Sequence, residues 1–392
     1  MPAAPLSSAA PVLDQLAAAS GPAVGRKATP ADLLAVFEQV TDPRKPRGRR
    51  HRLPVLLTLA TCAVLAGARS FTAIAEWAAD AGEQVTGLLG IVRVPDASTF
   101  RRVLARLDAD ALDTALGAWA AARTTPGQGE QRRVAVDGKT LRGSRNGDAP
   151  GRHLLAALDQ RHAVVLAQCA VDAKTNEIPK LRDLLAGLDL TDVVVTADAL
   201  HTQDDTATWL TDRGAHYLLI VKANQPTLHA QLTALPWTKV RTTARTTSRG
   251  HGRLEHRTVK TTEVRAGLGF PHAVQAVRIT RRRRSLTSGK STTETIHAVT
   301  SLPTHQASPV LLAGLARGHW AIENRLHWVR DVTYDEDHHR ARTGNAPQVM
   351  ASLRNLAITI LRLTGTTNIA QALRHHARHP ERPLETIKKA SC

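Results

Sequence analysis

Two short β-branched runs, each closed by an aspartate, constrain this chain more than any other feature. Residues 132–144 read R-R-V-A-V-D-G-K-T-L-R-G-S. Val134, Ala135 and Val136 form an apolar run behind two arginines, the pattern of a buried strand. Gly138 and Lys139, after Asp137, read as a turn. Residues 193–196 repeat the design, and Asp198 follows after one alanine. A carboxylate at the end of a buried strand is held rigidly and still faces solvent, which suits a metal ligand. An Asp after a strand is also a common turn former. Either one alone therefore says little; the pair, with an acid-bearing helix downstream, says more.

The charge balance narrows the partner. Lys plus Arg number 52 against 34 for Asp plus Glu, a formal charge of +18 over 392 residues. A surplus of that size calls for a polyanion, nucleic acid above all. Cys62, Cys169 and Cys392 have no CxxC spacing, which excludes a disulfide framework or a cysteine-held zinc and suits a reducing cytoplasm. His375 and His379 have i, i+4 spacing but no HExxH accompanies them. The apolar run 53–68 falls short of the roughly 20 residues a membrane span needs and contains Thr58 and Thr61, so it reads as a core helix. The first residues lack a basic region and Asp14 interrupts them, so no signal peptide is expected.

Along the chain, residues 1–29 are rich in Ala, Pro, Ser and Gly and read as a disordered tail. Residues 30–125 read as a small all-helical domain, with helices at 53–68, 71–79, from Asp96 or Ser98, and at 109–122. Within it, 44–52 reads R-K-P-R-G-R-R-H-R, either a phosphate-tracking segment or a solvated linker. Beyond residue 130 the period becomes β. Strands at 134–137, 154–159 and 163–171 precede a helix at 179–187, a strand at 193–197, a helix at 204–212 and a strand at 217–222. Three strands, helix, strand, helix, strand is the order of a ribonuclease-H-like core. By analogy with that fold the first and fourth strands lie side by side, making Asp137 and Asp198 neighbours.

The expected fold class is therefore α/β: a ribonuclease-H-like catalytic core over 130–365, preceded by the helical domain and interrupted by a β-rich insertion at about 235–303. Strands are expected at 256–264, 273–280 and 292–300. Arg281, Arg282, Arg283 and Arg284 read as a charged hairpin tip suited to DNA phosphates. Residues 309–330 read as one long helix on which His319, Glu323 and His327 share a face. Residues 366–392 read as a basic, peripheral tail.

Two divalent ions, Mg²⁺ or Mn²⁺, held about 3.5–4 Å apart by a few carboxylates are a standard apparatus for phosphodiester chemistry. Hard oxygen ligands suit them, so three acids suffice; Asp137, Asp198 and Glu323 would supply them. Asp331, Glu336 and Asp337 are rivals for the third place, but lie beyond the helix face that bears Glu323. Lys139 and Arg142 are placed to hold phosphates, Lys174, Asn176 and Glu177 sit on a turn approaching the same edge, and Lys222, Asn224 and Gln225 end the fifth strand. His319, Asn324, His327 and Arg330 surround the third acid as candidate DNA contacts.

These residues carry a family resemblance. V-D-G-K-T-L-R-G-S at 136–144, K-T-N-E-I-P at 174–179, T-A-D-A-L-H-T-Q at 196–203 and G-H-W-A-I-E-N-R-L-H-W-V-R-D-V-T-Y-D-E-D at 318–337 resemble blocks of the ISAs-type insertion-sequence transposases, the H-repeat-associated proteins among them. The stretch from F-E-Q-V-T-D-P-R through G-A-R-S-F-T-A-I-A-E-W resembles the helical domain associated with them. The resemblance runs from about residue 31 to 365. It implies cut-and-join chemistry by three acids, Asp137, Asp198 and Glu323. The substrates would be the element's own terminal inverted repeats and target DNA, with a homodimer on double-stranded DNA in a bacterial cytoplasm. The wider transposase group places Tyr, Arg and Lys around the third acid; here Ala316, His319 and Arg330 stand there, Arg replacing Lys with different geometry. The alternatives are a transposase-derived DNA-binding protein without catalysis and a stand-alone metal-dependent nuclease.

Overall fold

The computed structural model describes residues 32–172, 176–250, 252–264 and 268–391. The tail expected at 1–29 and Lys174 lie outside them. One nine-stranded sheet runs through the molecule in the order β3-β2-β1-β4-β5-β9-β8-β7-β6. Its strands are β1 (Arg133–Thr140), β2 (His153–Asp159), β3 (Val164–Val171), β4 (Val194–Ala197), β5 (His216–Val221), β6 (Ala244–Gly250), β7 (Arg253–Glu263), β8 (Gln275–Ser285) and β9 (Ser291–Thr300). The first three form an antiparallel meander, and β1, β4 and β5 run parallel. This is the ribonuclease-H-like arrangement. Every residue of β4 is buried, as a parallel strand covered on both faces requires.

The later strands are not a separate unit. β9 pairs antiparallel with β5, Leu218 opposite Thr300, so the insertion extends the core sheet. The edge of β5 would otherwise offer unpaired backbone groups. Thr300 Oγ1 donates to Tyr217 O at 2.6 Å and Ser301 Oγ accepts from Tyr217 N at 3.0 Å, which seals the junction. The outermost strand, β6, is polar and almost wholly exposed; A-R-T-T-S-R-G carries no alternation by which sequence could announce it. The four arginines fall inside β8 rather than at a hairpin tip; the turn closes between Ser285 and Lys290.

Among the described residues six helices precede the sheet: α1 (Leu33–Glu38), α2 (Leu53–Leu65), α3 (Phe71–Asp80), α4 (Gly82–Leu88), α5 (Ala97–Arg106) and α6 (Ala109–Arg123). Side-chain caps start most of them. Ser70 accepts from Ala73 N, Asp96 from Thr99 N and Asp108 from Ala111 N. All of α2 except Pro54 is buried, and among the described residues no helix is long and apolar enough to cross a membrane. Seven more α-helices follow among the described residues: α7 (Glu177–Leu185), α8 (Asp204–Asp212), α9 (Pro226–Ala234), α10 (Pro309–His319), α11 (Ala346–Leu363), α12 (Ile369–His376) and α13 (Glu381–Ser391). The helix of α10 continues through wider, π-helical turns over Glu323–His327 and Val329–Thr333.

Helices and sheet share one core. Gly117 of α6 approaches β3 so closely that a Cβ would stand 3.0 Å from the Leu166 carbonyl carbon. α11 is buried from Ala346 through Leu361, and a single apolar cluster runs from Leu33 to Ala390. The C-terminal stretch is therefore not a peripheral tail: α12 and α13 bury Ile369, Leu373, Leu384 and Ile387. Arg and His dominate its composition, but its apolar residues recur at helical spacing.

A polar seam crosses this core. Buried Asp113 of α6 accepts from Gln168 Nε2 (3.1 Å), Gln348 Nε2 (3.0 Å) and Ser352 Oγ (2.5 Å). Gln168 Oε1 accepts from Asn355 Nδ2 at 2.7 Å, and Asn355 Oδ1 from Arg330 Nη1 at 3.3 Å. Burial pushes the Asp113 carboxyl up to about 7 against its three donors. Its proton is held in the folded state and lost in the unfolded one between about pH 3.8 and 7, so the stability it contributes is complete below that window and gone above it. Asp113→Asn should flatten the fall in melting temperature across that window; an unchanged slope would show that Asp113 is ionised in the core.

Candidate active site

The register of the parallel strands builds the site. Val136 pairs with Ala197, so the next residues, Asp137 and Asp198, emerge side by side, about one strand spacing apart. Asp198 keeps an extended backbone and its Oδ1 accepts from Leu200 N at 3.0 Å, capping the tight turn Ala199–His201. The helix continuing from α10 crosses the ends of β1 and β4. His319 Nδ1 reaches Thr196 Oγ1 of β4 at 3.4 Å. His327 Nδ1 lies 3.5 Å from Asp137 Oδ2 and 3.9 Å from Glu323 Oε1. Wide turns of this kind recur at functional sites because they shift side chains off the α-helical line.

Ligand atoms of Asp137, Glu323 and His327 all fall within 4.8 Å of one another. Asp198, turned toward Leu200, stands outside this set. Burial and then the charge of Glu323, with Asp198 and Glu177 beyond it, push Asp137 up to about 7. Glu323 is held below the usual range, first by the His327 imidazole beside it. Burial lowers His327, and lowers His319 to about 4, so both imidazoles are neutral at pH 7. Two carboxylates and an imidazole crowded at this spacing, with a third carboxylate on the adjoining strand, fit a divalent cation.

The other candidates divide. Arg330 is not a DNA contact here: it is buried, and its Nε and Nη2 each lie 2.8 Å from Glu336 Oε2. Arg354 Nη1 binds the other oxygen at 2.9 Å. Burial alone would raise Glu336, but Arg330 and Arg354 hold it at about 2, so it serves the core and is no rival third acid. Lys139 Nζ pairs with Asp331 at 2.6 Å, and Arg142, exposed, lies 3.6 Å from Asp337. His319 and His327 are buried and turned to the strand ends rather than to solvent. Asn176 caps α7, Asn224 Nδ2 donates to Ala199 O at 2.6 Å, and Lys222 is exposed. Asn324 Nδ2 donates to Trp320 O at 2.8 Å.

Strand alternation splits the four arginines. Arg282 and Arg284 are exposed. Arg281 and Arg283 join Arg249, Arg253 and Arg257 around a cleft of about 480 Å³ that opens onto Trp320, Glu323 and Asn324. Arg281 pairs with Glu294 and stacks on Trp320, 5.6 Å from the ring centre; Arg283 Nε lies 3.0 Å from Glu255.

Sequence reasoning places Glu177 near this edge but misses its partners. Its carboxylate lies 2.7 Å from His153 Nε2 of β2 and 3.2 Å from His201 Nε2, three residues past Asp198. It also presses on Gly138, where a Cβ would stand 2.6 Å from Glu177 Cδ. Burial would raise this carboxyl, but its two histidine bonds bring it to about 2. Glu177 thus ties together the segments that carry Asp137 and Asp198. The spacing D-x-x-H at 198–201 is the one local signal; His153 has none.

Acids at the ends of adjacent parallel strands in a ribonuclease-H-like sheet, with another on the crossing helix, form a cluster suited to divalent metal. Residues 128–360 match the family described as "Transposase DDE domain", and residues 34–120 match the "DDE_Tnp_1-associated" family. The chain belongs to the DDE transposase family. It is 30% identical over 348 residues to "Putative transposase YncI" of Escherichia coli O157:H7, covering 84% of this chain and 87% of that protein. It is 27% identical over 349 residues to "H repeat-associated putative transposase YhhI" of Escherichia coli strain K12, covering 84% and 90%. A piggyBac transposase synaptic complex with hairpin DNA, solved by cryo-EM, aligns at a TM-score of 0.41 and 10% identity over 88% of this chain and 76% of that one.

Residues that orient metal ligands typically contribute 10–100-fold to metal affinity. Glu177→Gln should therefore weaken Mn²⁺ binding, read by calorimetry on the DNA-free protein, by about that factor, and Gly138→Ala should do the same by displacing Glu177. Affinity within about twofold of the parent in both variants would show that the Glu177 contacts do not orient the acids.

Proposed function

We propose that this protein is a DNA transposase that cleaves the ends of its own insertion sequence and joins them to target DNA with the help of divalent metal. The observation that supports it most directly is the pairing of β1 with β4, which puts Asp137 beside Asp198 while Glu323 approaches Asp137 from the crossing helix. Asp137 and Glu323 would hold metal with Asp198, once its side chain turns from Leu200 toward them. Two such ions, when bound, supply an activated water or 3′-hydroxyl and stabilise the leaving oxygen. Carboxylate oxygens suit Mg²⁺ and Mn²⁺ alike.

The chain's own residues do the rest. His327, whose basicity burial lowers, sets Nδ1 beside both Asp137 and Glu323 and helps to orient the two carboxylates toward a shared metal. The arginines of β6, β7 and β8 beside Glu323 hold the phosphates of the strand being cut, since guanidinium groups match phosphate oxygens in pairs. Arg142, exposed next to β1, and Lys222, exposed after β5, flank the same strand ends and extend the positive surface. The substrates in this reading are double-stranded terminal inverted repeats and target DNA, held by a homodimer in a bacterial cytoplasm.

Asp137→Asn should lower Mg²⁺-dependent cleavage of an end-bearing duplex by at least about a thousandfold, on the order of 4 kcal/mol. DNA affinity should stay within about twofold. Parent protein that cuts without yielding joined products would be a nuclease, and parent protein that binds without cutting would be a DNA-binding descendant; either result overturns the proposal.

A further inference from the structure

The molecule carries a second concentration of positive charge away from the acids. A cleft of about 800 Å³ lies in the N-terminal helical region, between the loop joining α1 to α2 and the helix α5. Lys45, Arg47, Arg50, Arg93, Arg102 and Arg106 line it, and among the described residues none of the six is paired with an acid. Asp96 is the one acid on its walls, and it is committed to capping α5. Uncompensated cations at this density repel one another, so a fold that gathers them does so at a cost in stability.

The loop is built to hold them. Arg44 is largely buried and makes a bidentate pair with Asp42, Nε to Oδ1 at 2.9 Å and Nη2 to Oδ2 at 2.7 Å. Its Nη2 also donates to His51 O at 2.6 Å. Arg49 Nε donates to Arg44 O at 3.0 Å and lies 3.6 Å from Asp42 Oδ2. Two arginines and one aspartate thus close the loop on itself, and Lys45, Arg47 and Arg50 are left to project. Opposite them, α5 buries Phe100, Val103 and Leu104 and turns Ser98, Arg101, Arg102 and Arg106 to solvent. These four recur at helical spacing and form one polar, cationic stripe.

We infer that this cleft is a duplex-DNA docking surface, separate from the acid-bearing centre, in which the preorganised loop holds phosphates and α5 faces a groove. The inference rests on the reading of the chain as a DNA enzyme and extends it to where DNA is held apart from where it is cut. Double-stranded DNA is the partner that the site favours. Its phosphates are spaced regularly along a rigid rod, which matches cations fixed on a braced loop and on one helix face, and its major groove admits an α-helix. An acidic protein segment would need no such bracing.

The test uses the full chain carrying Asp137→Asn, so that binding is read without cutting and independently of whether cleavage occurs. Binding to a labelled duplex is followed by fluorescence anisotropy over a salt series. Adding Arg47→Ala, Arg50→Ala and Arg102→Ala should weaken affinity at least about tenfold and reduce the log–log salt slope by about 2–3, near 0.9 for each phosphate no longer neutralised. Asp42→Ala is the sharper variant. It raises the net charge by one, so bulk attraction alone would tighten binding, whereas a braced loop predicts weaker binding with the circular dichroism spectrum of the folded protein unchanged at the assay temperature. Unchanged affinity and slope in the triple variant overturns the inference, as does tighter binding in Asp42→Ala. Preferential binding of poly-L-glutamate over the duplex by the parent also overturns it. If Asp42→Ala does not fold, the triple variant decides alone.

Discussion

The candidate metal site depends on the parallel pairing of two short strands. β1 and β4 are apolar enough to be buried on both faces, and that burial fixes their register. The register then forces two aspartates out of the sheet at the same height. Like charges at one strand spacing oppose each other, and the third acid adds to the opposition. The protein relieves it in the absence of metal by raising the Asp137 carboxyl to about 7, so that it tends to keep its proton, and by setting the His327 imidazole beside Glu323. The same crowding that costs energy without metal is what a divalent ion would relieve. The apolar strands therefore do more than fill the core, since they hold an arrangement of charge that the side chains alone would avoid.

The third acid depends on a different kind of support. Glu323 sits on a helix whose inner face must meet two strand ends, and wide turns begin at Glu323 itself. What prevents this stretch from sliding is the buried polar seam behind it. Arg330 and Arg354 close on Glu336, and Arg330 continues through Asn355 and Gln168 to Asp113 on α6. Breaking one member of such a buried pair leaves an uncompensated charge, which is far costlier than never having had the pair. The seam links the helices before the sheet to the helix that carries the third acid. That linkage gives a physical reason for helices and sheet to share a core rather than fold as separate units.

Much of this is legible in the sequence, and the limits have physical causes. Residues 134–137 and 193–198 announce their strands because a buried parallel strand must be continuously apolar and because turn residues follow each one. The sharing of a face by His319, Glu323 and His327 follows from helical spacing, and the helix does lay that face on the strand ends. The role of Arg330 does not follow, because sequence cannot tell a cation aimed at phosphate from one aimed at a buried glutamate six residues on. β6 is invisible for want of apolar residues. The four arginines read as a tip because a charge run resembles a loop, whereas pairing with β7 and β9 carries it as a strand. His153 and His201 have no mark strong enough to pair them: their meeting with Glu177 is created only when β2, α7 and the turn after Asp198 come together.

The proposed chemistry requires Asp137, Asp198 and Glu323 to share metal. Crystals grown with Mn²⁺ and measured for anomalous scattering test it most directly. A shared site predicts manganese held by carboxylate oxygens of all three residues, with the Asp198 side chain turned away from Leu200. Manganese absent from this position, or held there with Asp198 still bonded to Leu200, would contradict it.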